Sequence, residues 1–198
     1  MKFFTALLII ACAAVVYNQE KIVIDSDYTL EEALEGSSVP YNIKENLRLV
    51  EVSYYSFDNR LHRGQLIVHK ELVSDIIEIF QLIKKEKFPV AKVIPIVKYH
   101  WSDEKSMRDN NTSAFNYRFI KGKDKLSNHA TGRAIDINPF LNPQITDGVA
   151  YPEGASYNPK TRGSISVNHF LVKEFKKKGW KWGGNWKETK DYQHFEKL

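Results

Sequence analysis

The chain has 198 residues, 42% of them hydrophobic and 27% charged, with a formal net charge of +5 and one cysteine. This is ordinary globular composition, long enough for one domain with its own core, and a lone cysteine excludes an internal disulfide. Lys176-Lys177-Lys178 is the only run of three basic residues and reads as a solvated helix end, so no nucleic-acid-binding stripe is expected. Internal repeats, a phosphate-binding glycine loop, a cysteine-based metal motif, coiled-coil heptads and a Gly-x-Ser-x-Gly elbow are all missing from the sequence.

Lys2 is followed by an apolar run from Phe3 to Val16, interrupted only by Thr5 and Cys12. The run is short for a membrane span and fits a secretory signal. Residues 1–19 are therefore assigned to a signal peptide or N-terminal anchor. Ala11-Cys12-Ala13 offers an ordinary cleavage site, and Ile9-Ile10-Ala11-Cys12 resembles a lipoprotein box that would place a lipid on Cys12. Either way the domain is expected to be exported, to a periplasmic or extracellular location.

Residues 20–44 read as a lead-in or linker, with a short helix starting at Thr29, whose side chain would cap it together with Glu32. Leu47 to Phe57 and Leu61 to Val68 are rich in β-branched and aromatic residues around an Asp58-Asn59 turn, predicting a β-hairpin. Lys70 to Phe88 gives the clearest helix. Leu72, Val73, Ile76, Phe80 and Ile83 recur at three and four residues, Ile77 and Ile79 widen the stripe, and Pro89 ends it. Ala91 to Tyr99 predicts a short strand with Pro95 at an edge or bulge. The polar stretch from His100 to Asn116 predicts a loop.

Ser127-Asn128-His129-Ala130-Thr131-Gly132-Arg133-Ala134-Ile135-Asp136-Ile137-Asn138 is the most informative stretch, together with Asp191-Tyr192-Gln193-His194-Phe195. Gly132 allows a turn at positive φ. Ala134 to Ile137 reads as a short buried strand, and a carboxylate set in it is costly unless paired or metal-bound. Imidazole nitrogen and carboxylate oxygen both suit a divalent zinc ion, and a catalytic site keeps one position open beyond three protein ligands. His129, Asp136 and His194 are the three candidates, with Asp191 left as a base for water. Residues three apart on a flat strand face opposite ways, so a bend is predicted at Tyr192 or Gln193, leading into a strand from His194 to Glu196. The remaining histidines, His62, His69, His100 and His169, read as surface or satisfied core residues.

Residues Pro139 to Gly163, with four prolines, predict a long loop walling a cleft, its Tyr151 and Tyr157 better suited to packing on the loop itself than to substrate contact. Ser166 to Lys178 predicts a second amphipathic helix, with Ser166 as N-cap and Gly179 after its end. Trp180, Trp182 and Trp186 cluster around Gly183-Gly184. Trp180 reads as packing, while Trp182 suits either packing or a groove wall.

The Ser-x-His-x-x-Gly-x-Ala-x-Asp stretch with the distal Asp-x-x-His-Phe resembles the zinc D-alanyl-D-alanine carboxypeptidase and L-alanyl-D-glutamate endopeptidase family, which shares its fold with the Hedgehog signalling domain. Asn111-Thr112-Ser113-Ala114-Phe115-Asn116-Tyr117-Arg118, Asp136-Ile137-Asn138-Pro139, Asn142-Pro143 and the Gly179–Trp186 segment extend the resemblance over residues 45–198. It implies an α+β domain of Hedgehog/DD-peptidase type, with a small antiparallel sheet carrying the zinc site and the long helix on its back. It implies one zinc ion on His129, Asp136 and His194, Asp191 as catalytic base, and Arg118 at the scissile carbonyl or on a substrate carboxylate. The substrates implied are peptide bonds of bacterial cell-wall stem peptides. A non-catalytic zinc-binding module of the same fold, binding cell wall or a protein partner, is the alternative. A monomer is expected, touching membrane only through its N-terminal segment.

Overall fold

The computed structural model describes residues 21–198. The signal, anchor and Cys12 assignments lie outside the described residues. In chain order the regular elements are β1 (Val23–Ile24), α1 (Leu30–Ala33), α2 (Tyr41–Lys44), β2 (Leu47–Tyr55), β3 (Leu61–His69), α3 (Val73–Lys85), β4 (Lys92–Val93), α4 (Asp103–Arg108) and β5 (Asn111–Thr112). They continue with β6 (Ala134–Asp136), β7 (Gln144–Thr146), β8 (Val149–Tyr151), α5 (Phe170–Lys177), β9 (Lys181–Trp182), β10 (Thr189–Asp191) and β11 (His194–Glu196). The architecture is mixed α+β, with three three-stranded sheets and one two-stranded sheet among the described residues.

The hairpin forms where the β-branched runs predict it. β2 and β3 pair antiparallel along their whole length, from Leu47 opposite His69 to Tyr55 opposite Leu61. The helix prediction holds with a shorter span. Lys70–Leu72 is a 3-10 turn, and α3 follows it. Lys87 sits at φ 50 just beyond α3. There Phe88 N donates to the Ile83 carbonyl, which closes the helix end and buries Phe88. Ile76, Ile79, Phe80 and Ile83 are buried as expected, but Ile77 is 39% exposed. Its angular position places it off the stripe that faces the sheet.

Residues expected to form a lead-in are folded onto the hairpin. β1 pairs parallel with β3. Thr29 and Glu32 make the predicted capping box on α1, and Ala33 and Leu34 are buried with Leu47, Ile67 and Phe115. The polar composition of residues 20–44 concealed these few apolar anchors. Further corrections fall in the middle of the chain. β4 is only two residues long, and Pro95 caps a 3-10 turn at Ile96–Tyr99. The stretch expected as loop contains α4, capped by Ser102, and β5, which pairs parallel with β4.

The long loop after Asn138 carries a small hairpin, β7 with β8, and β7 also pairs with β10. The second helix is shorter than expected. His169, not Ser166, caps α5 by accepting from Leu171 N, while Gly179 occupies the predicted left-handed position at φ 84. One continuous core joins Val50, Tyr54, Ile76 and Phe80 to Ile135, Ile137, Phe175, Trp180, Trp182 and Phe195. The sheet that carries the candidate ligands has the order β6-β11-β9 and is antiparallel. α3 packs against β2, whereas α5 covers the ligand sheet through β9. The long helix packs chiefly against the hairpin, and joins the ligand sheet through the shared core and through Asp75, which accepts from Trp180 Nε1 and Lys197 Nζ.

Candidate metal and catalytic centre

Three local devices bring the candidate ligands together. His194 lies directly opposite Asp136 in the β11–β6 register, and side chains of such a pair share one sheet face. His129 enters from a 3-10 turn at Asn128–Thr131, where Ser127 accepts from His129 N and Gly132 at φ 68 turns the chain back into β6. A Cβ at Gly132 would lie 2.6 Å from His69 N, so this turn has no room for another residue. The carbonyl of His129 accepts from Asn116 N, tying the turn to the segment before it.

The three side chains converge. His129 Nε2 lies 3.2 Å from His194 Nδ1 and 3.3 Å from an Asp136 oxygen. His194 Nδ1 lies 3.0 Å from the other Asp136 oxygen. The far nitrogen of each ring is also engaged: His129 Nδ1 donates to the Ala114 carbonyl, and His194 Nε2 faces Glu196 at 3.2 Å. This group could hold a metal ion. Burial disfavours the charged form of Asp136, but the two imidazoles more than offset it and hold its carboxyl well below the usual range. Burial likewise opposes charge on His194, yet hydrogen bonds to Asp136 and Glu196 raise its pKa to about 10. The cluster thus retains a proton where a free imidazole would lose it. That proton occupies the place a cation would take, since metal ligation requires neutral imidazoles.

Asp191 ends β10 and the chain bends at Tyr192–Gln193 before β11, as predicted. Its carboxylate is buried beside the trio, and Oδ1 has no hydrogen-bond partner. Burial raises its pKa to about 6; His194 opposes the rise and Asp136 adds to it. Gly183 lets this segment close. A Cβ there would lie 2.8 Å from Asp191 Cβ and 3.2 Å from His194 Cβ.

Residues 121–197 match the model of a protein family described as D-alanyl-D-alanine carboxypeptidase. The resemblance read from the motifs is borne out. The carboxypeptidase-family match includes His129, Asp136, Asp191 and His194, and supports a peptidase. It begins after Arg118 and is narrower than residues 45–198. No curated protein and no solved structure matches the chain.

Arg118 stands apart from the trio in its contacts. Its guanidinium pairs with Asp103, which also accepts from Asn116. Tyr151, on the β7–β8 hairpin, is close enough to feel Asp103 and Arg118 electrostatically. Trp180 and Trp182 are core residues, Trp182 donating to the Tyr192 carbonyl. Trp186 is part-exposed, with its ring centroid 5.2 Å from that of His194. The reading of motifs missed Glu196. The signal was present, because residues two apart on a strand share a face, and Glu196 follows His194 at that spacing.

Proposed function

We propose that this chain is a zinc-dependent peptidase that hydrolyses peptide bonds of bacterial cell-wall stem peptides, on a Hedgehog/DD-peptidase-type fold. The observation that carries the reading is a buried Asp191 carboxylate, its Oδ1 without a hydrogen-bond partner, beside a converging His129–Asp136–His194 group. Zinc bonds of about 2.0–2.1 Å in a tetrahedral site set ligand atoms about 3.3 Å apart. The observed separations of 3.0, 3.2 and 3.3 Å match that spacing, and the donor set of two imidazoles and one carboxylate suits the ion.

Bound there, zinc would acidify water and polarise the substrate carbonyl. Asp191 takes a proton from the attacking water through its free oxygen and returns it to the leaving amine. His129 and His194 present one lone pair each, while their other nitrogens stay on Ala114 and Glu196. Arg118, steered by Asp103, serves a substrate carboxylate or the developing oxyanion. The reading includes export of the domain, peptidoglycan stem peptides as its partner, membrane contact only through the N-terminal segment, and a monomeric state.

Two products separate the catalytic subtypes. Digestion of purified muropeptides followed by mass spectrometry should release either terminal D-alanine or a stem cut between L-alanine and D-glutamate. Intact muropeptides after incubation with the zinc-loaded domain would sink the proposal.

A further inference from the structure

Glu196 has no assigned task in the hydrolysis, yet its carboxylate makes two contacts beside the trio. Its Oε2 faces His194 Nε2 at 3.2 Å and accepts from Asn128 Nδ2 at 2.6 Å. Asn128 immediately precedes His129 and lies in the same 3-10 turn. One carboxylate oxygen therefore connects the turn that carries one candidate ligand to the strand that carries another, across 68 residues. The Asn128 amide also restrains Glu196 from swinging to solvent, and the Glu196 side chain is only 16% exposed.

The two rings are set in opposite senses. The Ala114 carbonyl is an acceptor only, so His129 carries its proton on Nδ1 and leaves Nε2 free. An ionised Glu196 is also an acceptor only, so the neutral His194 ring that a metal requires keeps its proton on Nε2 and presents Nδ1 toward Asp136 and His129. The geometry points to Glu196 as a positioning residue that fixes the His194 tautomer and makes Nδ1 the metal-binding nitrogen, with Asn128 as its brace. A neighbouring carboxylate also makes an imidazole a stronger donor, and loss of such a partner typically weakens metal binding about 10–100-fold. The inference rests on the metal-centre reading above, but not on the identity of the peptide that is cut.

The test is metal binding by the folded chain, independent of turnover. Competition against a chromophoric chelator should show Glu196→Ala binding zinc about 10–100-fold more weakly than wild type. Glu196→Gln, which keeps an acceptor oxygen but not the charge, should fall between them. Long-range proton–nitrogen NMR of the zinc-loaded wild type should place the metal on Nδ1 and the proton on Nε2 of His194. Metal on Nε2, or Glu196→Ala within twofold of wild type, overturns the assignment while leaving the proposed function standing. A wild-type chain that binds no zinc overturns both. Should Glu196→Ala fail to fold, the wild-type spectrum and Glu196→Gln still decide the matter.

Discussion

The hairpin–α3 platform and the ligand-bearing region solve the burial of backbone polar groups in different ways. β2 and β3 are nine residues each and satisfy one another along an unbroken ladder, with α3 supplying its own hydrogen bonds. From Asn111 to Glu196 no strand exceeds three residues. Side chains take over the task there. Asn138 accepts from Ala91 N and donates to the carbonyls of Pro89 and Gly163. Asn142 accepts from Ile165 N and donates to Ile137, Asn138 and Gly163. Asn111 both accepts from and donates to the backbone of Ile94. All three asparagines are fully buried. Long ladders make a platform, whereas short strands joined by amide clamps let one side chain at a time turn into a cleft.

The largest contrast between the regions should appear at Asp191. Asp191→Asn keeps the shape of the side chain but removes the base, so hydrolysis of stem peptides should fall about 10²–10⁴-fold. Bound zinc, measured by mass spectrometry of the dialysed protein, should stay near one per chain. Equal rates for wild type and variant would remove Asp191 from the mechanism.

Asn138→Ala tests the clamps. It leaves Ala91 N–H and the Pro89 carbonyl without their side-chain partner in a buried setting, at roughly 1–3 kcal/mol each. Urea unfolding should show a loss of about 2–5 kcal/mol. Because Asn138 lies two residues beyond Asp136, zinc affinity should fall as well, a double effect that a platform substitution would not give. Unchanged urea stability would mean that water satisfies both groups in place of the amide.

These clamps mark where sequence reading stops. The hairpin, α3 and the bend before His194 are legible because period-two and period-3.6 patterns and turn residues report the local backbone directly. His129, Asp136, Asp191 and His194 are legible because acids and imidazoles are expensive to bury without a purpose. A buried asparagine leaves no such signal. Asn138 sits at φ 47 and reads in isolation as an ordinary turn residue. Its partners lie 25 to 49 positions away. The same long-range dependence hid the packing of β1 against β3, whereas α4 was hidden by its short run of mostly polar residues despite the Ser102 cap.

Removing zinc should separate the regions differently. A bound ion would bridge His129, Asp136 and His194 from the 3-10 turn, β6 and β11, and binding to the native state alone stabilises it by about 4 kcal/mol at a thousandfold excess over Kd. Thermal unfolding should shift upward on zinc addition. Hydrogen exchange should slow at Asn128–Thr131 and β11 and stay unchanged along β2–β3. Uniform slowing over both regions would show that they are one cooperative unit.

The smallest effects lie within α3, at two adjacent isoleucines that the apolar stripe alone does not separate. Ile76 is 0% exposed and packs in the main core, whereas Ile77 is 39% exposed. Ile→Val removes one methylene in each case. At Ile76 it leaves a gap that close-packed neighbours fill only partly, so the loss should be about 0.5–1.5 kcal/mol in urea unfolding. At Ile77 the deleted group faces solvent, and the change should stay within about 0.5 kcal/mol. Neither variant should alter zinc affinity, since α3 packs chiefly against the hairpin. Equal losses at the two positions would mean that something covers the exposed flank of α3 in solution.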